Sequence, residues 1–231
     1  MEPWPVSLVA DLMNGISYPS YIDFDPFLDV DRLRSLDSFM VDRIEHRLAR
    51  SGDLKFCTGP FLLDEAKPKL PGSKMVYLSR PKGEDDYYKL DRPDFWEPSE
   101  EADEFAPLMD FISGLPFEAT GRMLIIYDPD GAAVSAHRDH DSQELCHEFI
   151  WFRTNLEKPF YMLDERSGEK LYVASHSAWF DTVNQFHGAD ASGRLSISIR
   201  VDGIFTEEFR RQIPFPTDRR SAAPALWAAQ R

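Results

Sequence analysis

The stretch Ala136-His137-Arg138-Asp139-His140-Asp141 concentrates metal-binding side chains near the middle of the chain. On an extended strand alternate side chains share a face, so His137 and Asp139 converge while Arg138 points away. One imidazole and one carboxylate on a face are two of the three ligands of a facial triad. Such a triad holds non-haem iron(II) and leaves coordination positions open to reactants. Asp141 shares the same face and His140 takes the other, so both stand as alternative partners in the run.

A third ligand must come from elsewhere among the six histidines, His46, His137, His140, His147, His176 and His187. His46 lies in a charged helical context between Arg43 and Arg47, which places it on the surface. His176 sits in a Ser-flanked turn. His187 ends a strand in Asn184-Gln-Phe-His187-Gly, 50 residues after His137, enough chain for several hairpins to return across a sheet. It is the strongest third ligand.

The last strand, Gly193-Arg-Leu-Ser-Ile-Ser-Ile-Arg-Val201, alternates strictly. Arg194, Ser196, Ser198 and Arg200 face one way, and Leu195, Ile197, Ile199 and Val201 the other. With its apolar face packed outward on helices, this strand presents two arginines and two serines to a cavity. The planar guanidinium fork suits bidentate binding of a carboxylate, and a serine hydroxyl adds one more bond. Arg194 and Arg200 stand six residues apart, which separates their backbones by roughly 20 Å, too far to grip one carboxylate together. If Ala191-Ser192 is a tight turn, Ser196 falls opposite His187 and Arg194 lies close to that level. Arg153, His147 and Arg200 are candidates to meet a substrate carboxylate, and Trp151, Trp179 and Phe186 to wall a pocket.

These residues need a scaffold. From Gly121 onward, short runs rich in Ile, Val, Phe, Trp and Tyr alternate with turn signals about every ten residues. The runs are 123–127, 132–136, 148–154, 160–163, 170–173, 178–182 with 185–187, and 194–201. Such spacing predicts a compact antiparallel sandwich or barrel. Before Gly121 the chain reads as helical and irregular. Leu33, Leu36, Phe39, Met40, Ile44 and Leu48 recur at helical spacing through 29–50, and Ser51-Gly52 end the helix. A strand is expected at Lys74–Leu78, and a second helix over Ser99–Ser113 with Phe105, Leu108, Met109 and Ile112 on its buried face. The expected organisation is one domain over 1–231: a helical and irregular part at 1–120, a β core at 121–209 and a loosely held basic tail at 210–231, with Trp227 as a docking residue.

Bulk properties narrow the function. A hydrophobic fraction of 42% with 13% aromatics is globular rather than disordered. A net charge of −14 repels phosphate backbones and anionic lipid, so neither nucleic acid nor a membrane is the expected partner. No apolar run approaches the ~20 residues of a spanning helix. Cys57 and Cys146 are far apart and form no metal-type pair. Together with an N-terminal segment that lacks the marks of a signal peptide, they point to a reduced, cytoplasmic protein.

From about Gly121 to Phe205 the residues resemble the iron(II)/2-oxoglutarate-dependent dioxygenases, whose core is a double-stranded β-helix (jelly-roll, cupin-like). Tyr127-Asp-Pro-Asp-Gly131 followed by His137-Arg-Asp139 looks like the family's tyrosine, turn glycine and H-x-D arrangement. Glu148–Asn155, Phe160 and Gly168-Glu169 resemble the middle strands of the aspartyl/asparaginyl β-hydroxylase and proline hydroxylase branches. Phe180 through His187 is similar to the strand pair carrying the distal histidine, and Arg194-Leu-Ser196 to the element that holds the far carboxylate of 2-oxoglutarate.

One departure is clear. The family spaces the distal histidine and the arginine by ten or more residues, whereas Arg194 follows His187 by seven and Arg200 by thirteen. The resemblance implies a mainly β fold with flanking helices, and Fe(II) and 2-oxoglutarate as cofactors. His137, Asp139 and His187 are then the metal and catalytic set. Arg194 is the expected anchor, helped by Ser196 and the Tyr127 hydroxyl, with Arg200 its competitor. The implied reaction is hydroxylation of a C–H bond by molecular oxygen in a monomer or homodimer. A free amino acid or related metabolite is the leading substrate. The alternatives are a protein side chain, or a metal-binding jelly-roll without turnover.

Overall fold

The computed structural model describes residues 19–51, 74–82, 95–139, 148–182 and 185–213. Two antiparallel sheets face one another. The larger contains β1 (Ile22–Asp23), β2 (Lys74–Tyr77), β5 (Phe117–Asp128), β7 (Glu148–Phe152), β10 (Ser177–Trp179) and β12 (Ser196–Phe205), in the order β1-β10-β7-β12-β5-β2. The smaller has the order β6-β11-β8-β9, from β6 (Val134–His137), β8 (Phe160–Leu163), β9 (Lys170–Tyr172) and β11 (Phe186–Ala189). Strands β3 (Ser79–Pro81) and β4 (Trp96–Pro98) form a separate hairpin-like pair. From β5 to β12 the chain passes repeatedly between the two larger sheets, which is the double-stranded β-helix that the family resemblance implies and one form of the sandwich or barrel expected from the strand spacing.

Helices α1 (Val30–Ser35), α2 (Asp37–Ser51), α3 (Ala106–Ser113) and α4 (Glu207–Gln212) contribute to the same core as the larger sheet. Phe111 of α3 meets Phe152 of β7 at 5.5 Å, and Phe152 pairs across the sheet with Ile199. Phe24, Phe205 and Phe209 form an edge-to-face cluster that joins the N-terminal segment to β12 and α4. Leu33, Met40, Ile44, Leu108 and Phe105 are fully buried. Removing one of these large side chains would cost about 2–5 kcal/mol. No helix among the described residues is long and apolar enough to cross a membrane.

Three local expectations change. The single helix read over 29–50 is two, because the chain closes a turn at Leu36 and restarts at Asp37, whose carboxylate accepts bonds from Thr154 Oγ1 and from Asn155 Nδ2 at 2.7 Å. The helix read over 99–113 begins as a 3₁₀ turn, Glu100–Phe105, and becomes α-helical at Ala106, next to Pro107. Its buried face carries Phe111, while Met109 is only half-buried. At the other end the packed chain continues past residue 209. Helix α4 runs to Gln212, Arg210 Nη2 sits 2.8 Å from Glu148 Oε2, and Ile213 is buried. Cys57, Asp141, Cys146, His140, His147 and Trp227 lie outside the described residues.

Candidate metal centre

His137 and His187 are direct cross-strand partners on β6 and β11, with ring centroids 4.5 Å apart. His187 is the second residue of a strand that continues to Ala189, rather than its end. Asp139 follows β6 by two residues, and its backbone N–H donates to Thr182 O at 2.8 Å, which brings the carboxylate back over the two rings. Asp139 Oδ1 lies 4.0 Å from His137 Nε2 and 3.7 Å from His187 Nε2. One donor atom from each of the three residues falls within 4.8 Å of the others.

Each ring is oriented by its second nitrogen. His137 Nδ1 is 2.9 Å from Ser135 O and His187 Nδ1 is 3.5 Å from Gln185 O, so Nδ1 carries the proton and the Nε2 lone pair faces the cluster. Burial drives the His187 pKa down to about 4 against the opposing pull of Asp139, so its imidazole is neutral at physiological pH. For Asp139, burial alone would raise the pKa. The neighbouring His187, Arg200 and His137 outweigh it and hold the carboxylate in its ionised form. Two imidazoles and one carboxylate, all pointing at one spot, are a donor set that fits a divalent first-row metal.

The segment carrying His187 is tied to the N-terminal region. Gln185 Oε1 accepts from Ser20 N at 3.0 Å and its amide donates to Ser20 O at 2.7 Å. Five residues after Ser20, Asp25 accepts from His176 N and from both the N–H and hydroxyl of Ser177. The irregular N-terminal segment therefore fixes β10 and the approach to β11.

A cavity of about 140 Å³ opens beside the cluster. Phe149, Trp151, Phe160 and Phe180 form its apolar wall, with Trp151 and Phe160 stacked at 4.5 Å. Ser196, Ser198, Arg200, Arg153, Asn155, Lys158 and Asp128 supply polar groups around it.

The three candidate ligands come together, but the basic residues are distributed differently from the sequence expectation. Arg194 lies before β12, in a turn where Gly193 takes φ +69° and Ser192 N donates to Gly131 O. Its side chain is 62% exposed, pairs with Glu157 and does not line the cavity. Ser196 does not oppose His187. The connection from β11 to β12 crosses between sheets, and Ser196 pairs with Asp128 of β5.

Arg200 does reach the cluster. Its Nη1 is 3.3 Å from Asp139 Oδ2, its Nε 3.0 Å from Asp202 Oδ1, and its guanidinium stacks 4.0 Å above Phe149. Asp202 also accepts from Arg122 Nε at 2.9 Å, giving a row Arg122–Asp202–Arg200–Asp139 that runs from the core to the part-exposed Asp139. Arg153 lines the cavity, but its guanidinium donates to the carbonyls of Lys158, Val173 and Ser175. Burial lowers its pKa to about 10, so it remains a cation there. Tyr127 is almost fully buried in the core and borders the cavity, as does Trp151.

Lys158, Asp128 and Asp202 carry roles that the sequence reading did not assign. Lys158 lies in the turn between β7 and β8, where local pattern marks only a loop. Asp128 and Asp202 are carboxylates on buried strands, and that combination is the signal that could have singled them out.

No protein-family model matches the sequence, and no curated protein matches it. Among solved structures, a prolyl hydroxylase from Trichoplax adhaerens, solved with a hypoxia inducible factor peptide fragment, aligns over 88% of this chain and 89% of its own at 11% identity and a TM-score of 0.51. A prolyl-4-hydroxylase from Pseudomonas putida aligns over 87% and 98% at 16% identity and 0.44. A 2OG-Fe(II) oxygenase family oxidoreductase from Burkholderia pseudomallei aligns over 74% and 87% at 11% identity and 0.38. The chain thus shares the fold of the Trichoplax enzyme.

Proposed function

We propose that this protein is an iron(II)- and 2-oxoglutarate-dependent oxygenase that hydroxylates a C–H bond of a small molecule. The observation that carries the reading is the convergence of His137, Asp139 and His187 beside a partly apolar cavity inside a double-stranded β-helix. These three residues would hold the metal. Bound iron(II) supplies oxygen activation coupled to the oxidative decarboxylation of 2-oxoglutarate to succinate and carbon dioxide.

The chain's own part is orientation and exclusion. Asp139 turns Oδ1 toward the imidazoles while Arg200 holds Oδ2, so the carboxylate would offer a metal a single oxygen. Phe149, Trp151, Phe160 and Phe180 keep water from the reacting C–H bond. The cavity volume and its few polar groups support a free amino acid or similar metabolite as substrate.

The test is anaerobic addition of iron(II) and 2-oxoglutarate to the purified protein. A weak visible charge-transfer band is expected, and Asp139→Ala or His187→Ala should abolish it. A protein that takes up neither metal nor 2-oxoglutarate would sink the reading. Screening amino acids and metabolites for stimulated succinate release then identifies the substrate.

A further inference from the structure

Of the basic side chains near the cavity, most have their charge committed elsewhere. Arg194 is on the surface with Glu157. Arg200 is shared between Asp139 and Asp202. The Arg153 guanidinium is engaged by three backbone carbonyls. Lys158 differs. Its side chain is 14% exposed and lines the cavity, and its partner among the described residues is Asp128, with Nζ 3.0 Å from Oδ2. An ammonium carries three donors, so one ion pair leaves capacity for a second anion.

Its location is equally specific. Asp128 is the cross-strand partner of Ser196, and Ser196, Ser198 and Arg200 follow one another along β12 on the cavity side. Arg200 touches the metal cluster through its side chain, and Ser198 and Ser196 lie two and four residues farther along the wall. The cavity therefore has a metal-binding end and a separate cationic end bordered by two hydroxyls.

The cationic end is also rigidly built. Arg153 Nη1 donates to Lys158 O at 2.8 Å, and Asp190 N donates to Pro159 O at 2.8 Å. Upstream, Asp37 at the start of α2 holds both Thr154 and Asn155, and Asn155 Oδ1 accepts from Glu157 N at 3.2 Å. A turn fixed at this many points places the ammonium rather than leaving it to wander in solvent.

We infer that Lys158, set against Asp128 and flanked by Ser196 and Ser198, recognises the far carboxylate of the 2-oxo dicarboxylate, in place of an arginine on the last strand. The inference rests on the oxygenase reading above, and the experiment separates the two. The protein is loaded with manganese(II), which supports binding without turnover, and is titrated calorimetrically with 2-oxoglutarate and with pyruvate, a 2-oxo acid that lacks the far carboxylate.

Lys158→Met should weaken 2-oxoglutarate binding by about 30-fold or more, the scale of lost charge-assisted hydrogen bonds, and leave pyruvate binding unchanged. Lys158→Arg should restore most of the affinity, and Arg194→Ala should change neither ligand. Because Lys158→Met strands a buried carboxylate, the double variant Asp128→Asn with Lys158→Met is measured alongside and should show the same selective loss. Retained pyruvate binding reports an intact metal site in each variant. Undiminished 2-oxoglutarate affinity in both Lys158→Met variants, or a loss that follows Arg194→Ala instead, overturns the inference alone. A wild-type protein that binds neither 2-oxo acid overturns the oxygenase reading and the inference with it.

Discussion

At the scale of single residues, Arg200 links two carboxylates that would otherwise share buried space with nothing of opposite charge between them. Its guanidinium meets Asp202, which is fully buried and also touched by Arg122, and on the other side the candidate ligand Asp139. Removing one partner from such a row leaves uncompensated buried charge, which costs about 3–5 kcal/mol. Arg200→Ala is therefore expected to lower unfolding free energy by that amount in urea titrations, whereas Arg194→Ala, on the surface, should stay within about 0.5 kcal/mol of wild type. The contrast also shows what could be read from residues alone. His137 and Asp139 were legible because two-residue spacing on an extended segment brings side chains together whatever the surrounding fold. Arg194 reads as the anchor ahead of Arg200 because alternation assigns a face but not the point where a strand begins. The positive φ of Gly193 and the Ser192–Gly131 hydrogen bond start β12 at Ser196, and this leaves Arg194 outside.

At the scale of elements, the metal centre depends on how closely β6 and β11 approach. Gly188 follows His187, and a Cβ built there would lie 2.7 Å from both Val134 O and the Tyr161 hydroxyl. Val134 O belongs to the backbone of β6 and cannot swing aside, so Gly188→Ala must push the two strands apart. A penalty of about 1–3 kcal/mol is expected for the overpacking. Loosening of the His137–His187 pair should weaken metal binding by about 10-fold or more, measured by competition with a chelator. The strands themselves were largely visible in sequence, since their hydrophobic runs are bounded by turn residues. Long-range hydrogen bonds were not: Asp37 interrupts an amphipathic helix pattern to cap the 154–155 turn, and Gln185 reaches back to Ser20. Lys158 was missed for the same reason, because its place depends on Asp37 and Arg153, which local pattern cannot connect to it.

At the scale of the whole molecule, a chain of net charge −14 gathers Arg122, Arg153, Lys158 and Arg200 in and around one cavity. Its acidic exterior and cationic interior are compatible with a small anion that is poorly attracted from a distance yet well held on arrival. The row Arg122–Asp202–Arg200–Asp139 adds a thermodynamic consequence. Its four charges alternate and sum to zero, burial keeps His187 neutral, Lys158 is matched by Asp128, and Arg153 adds one positive charge. A divalent cation entering this pocket keeps most of its double charge, and a dianion entering without the cation meets too little positive charge to balance it. Each is the other's missing counter-charge, so their affinities must be linked, and by the same factor in both directions. Manganese(II) titrated with and without saturating 2-oxoglutarate, and 2-oxoglutarate with and without saturating manganese(II), should give equal ratios well above one. Equal affinities in the two conditions would mean that the charges are not confined to a common site. With the affinities linked, the protein would retain its metal mainly while 2-oxoglutarate is present, and the supply of one small anion would set how much of it is loaded.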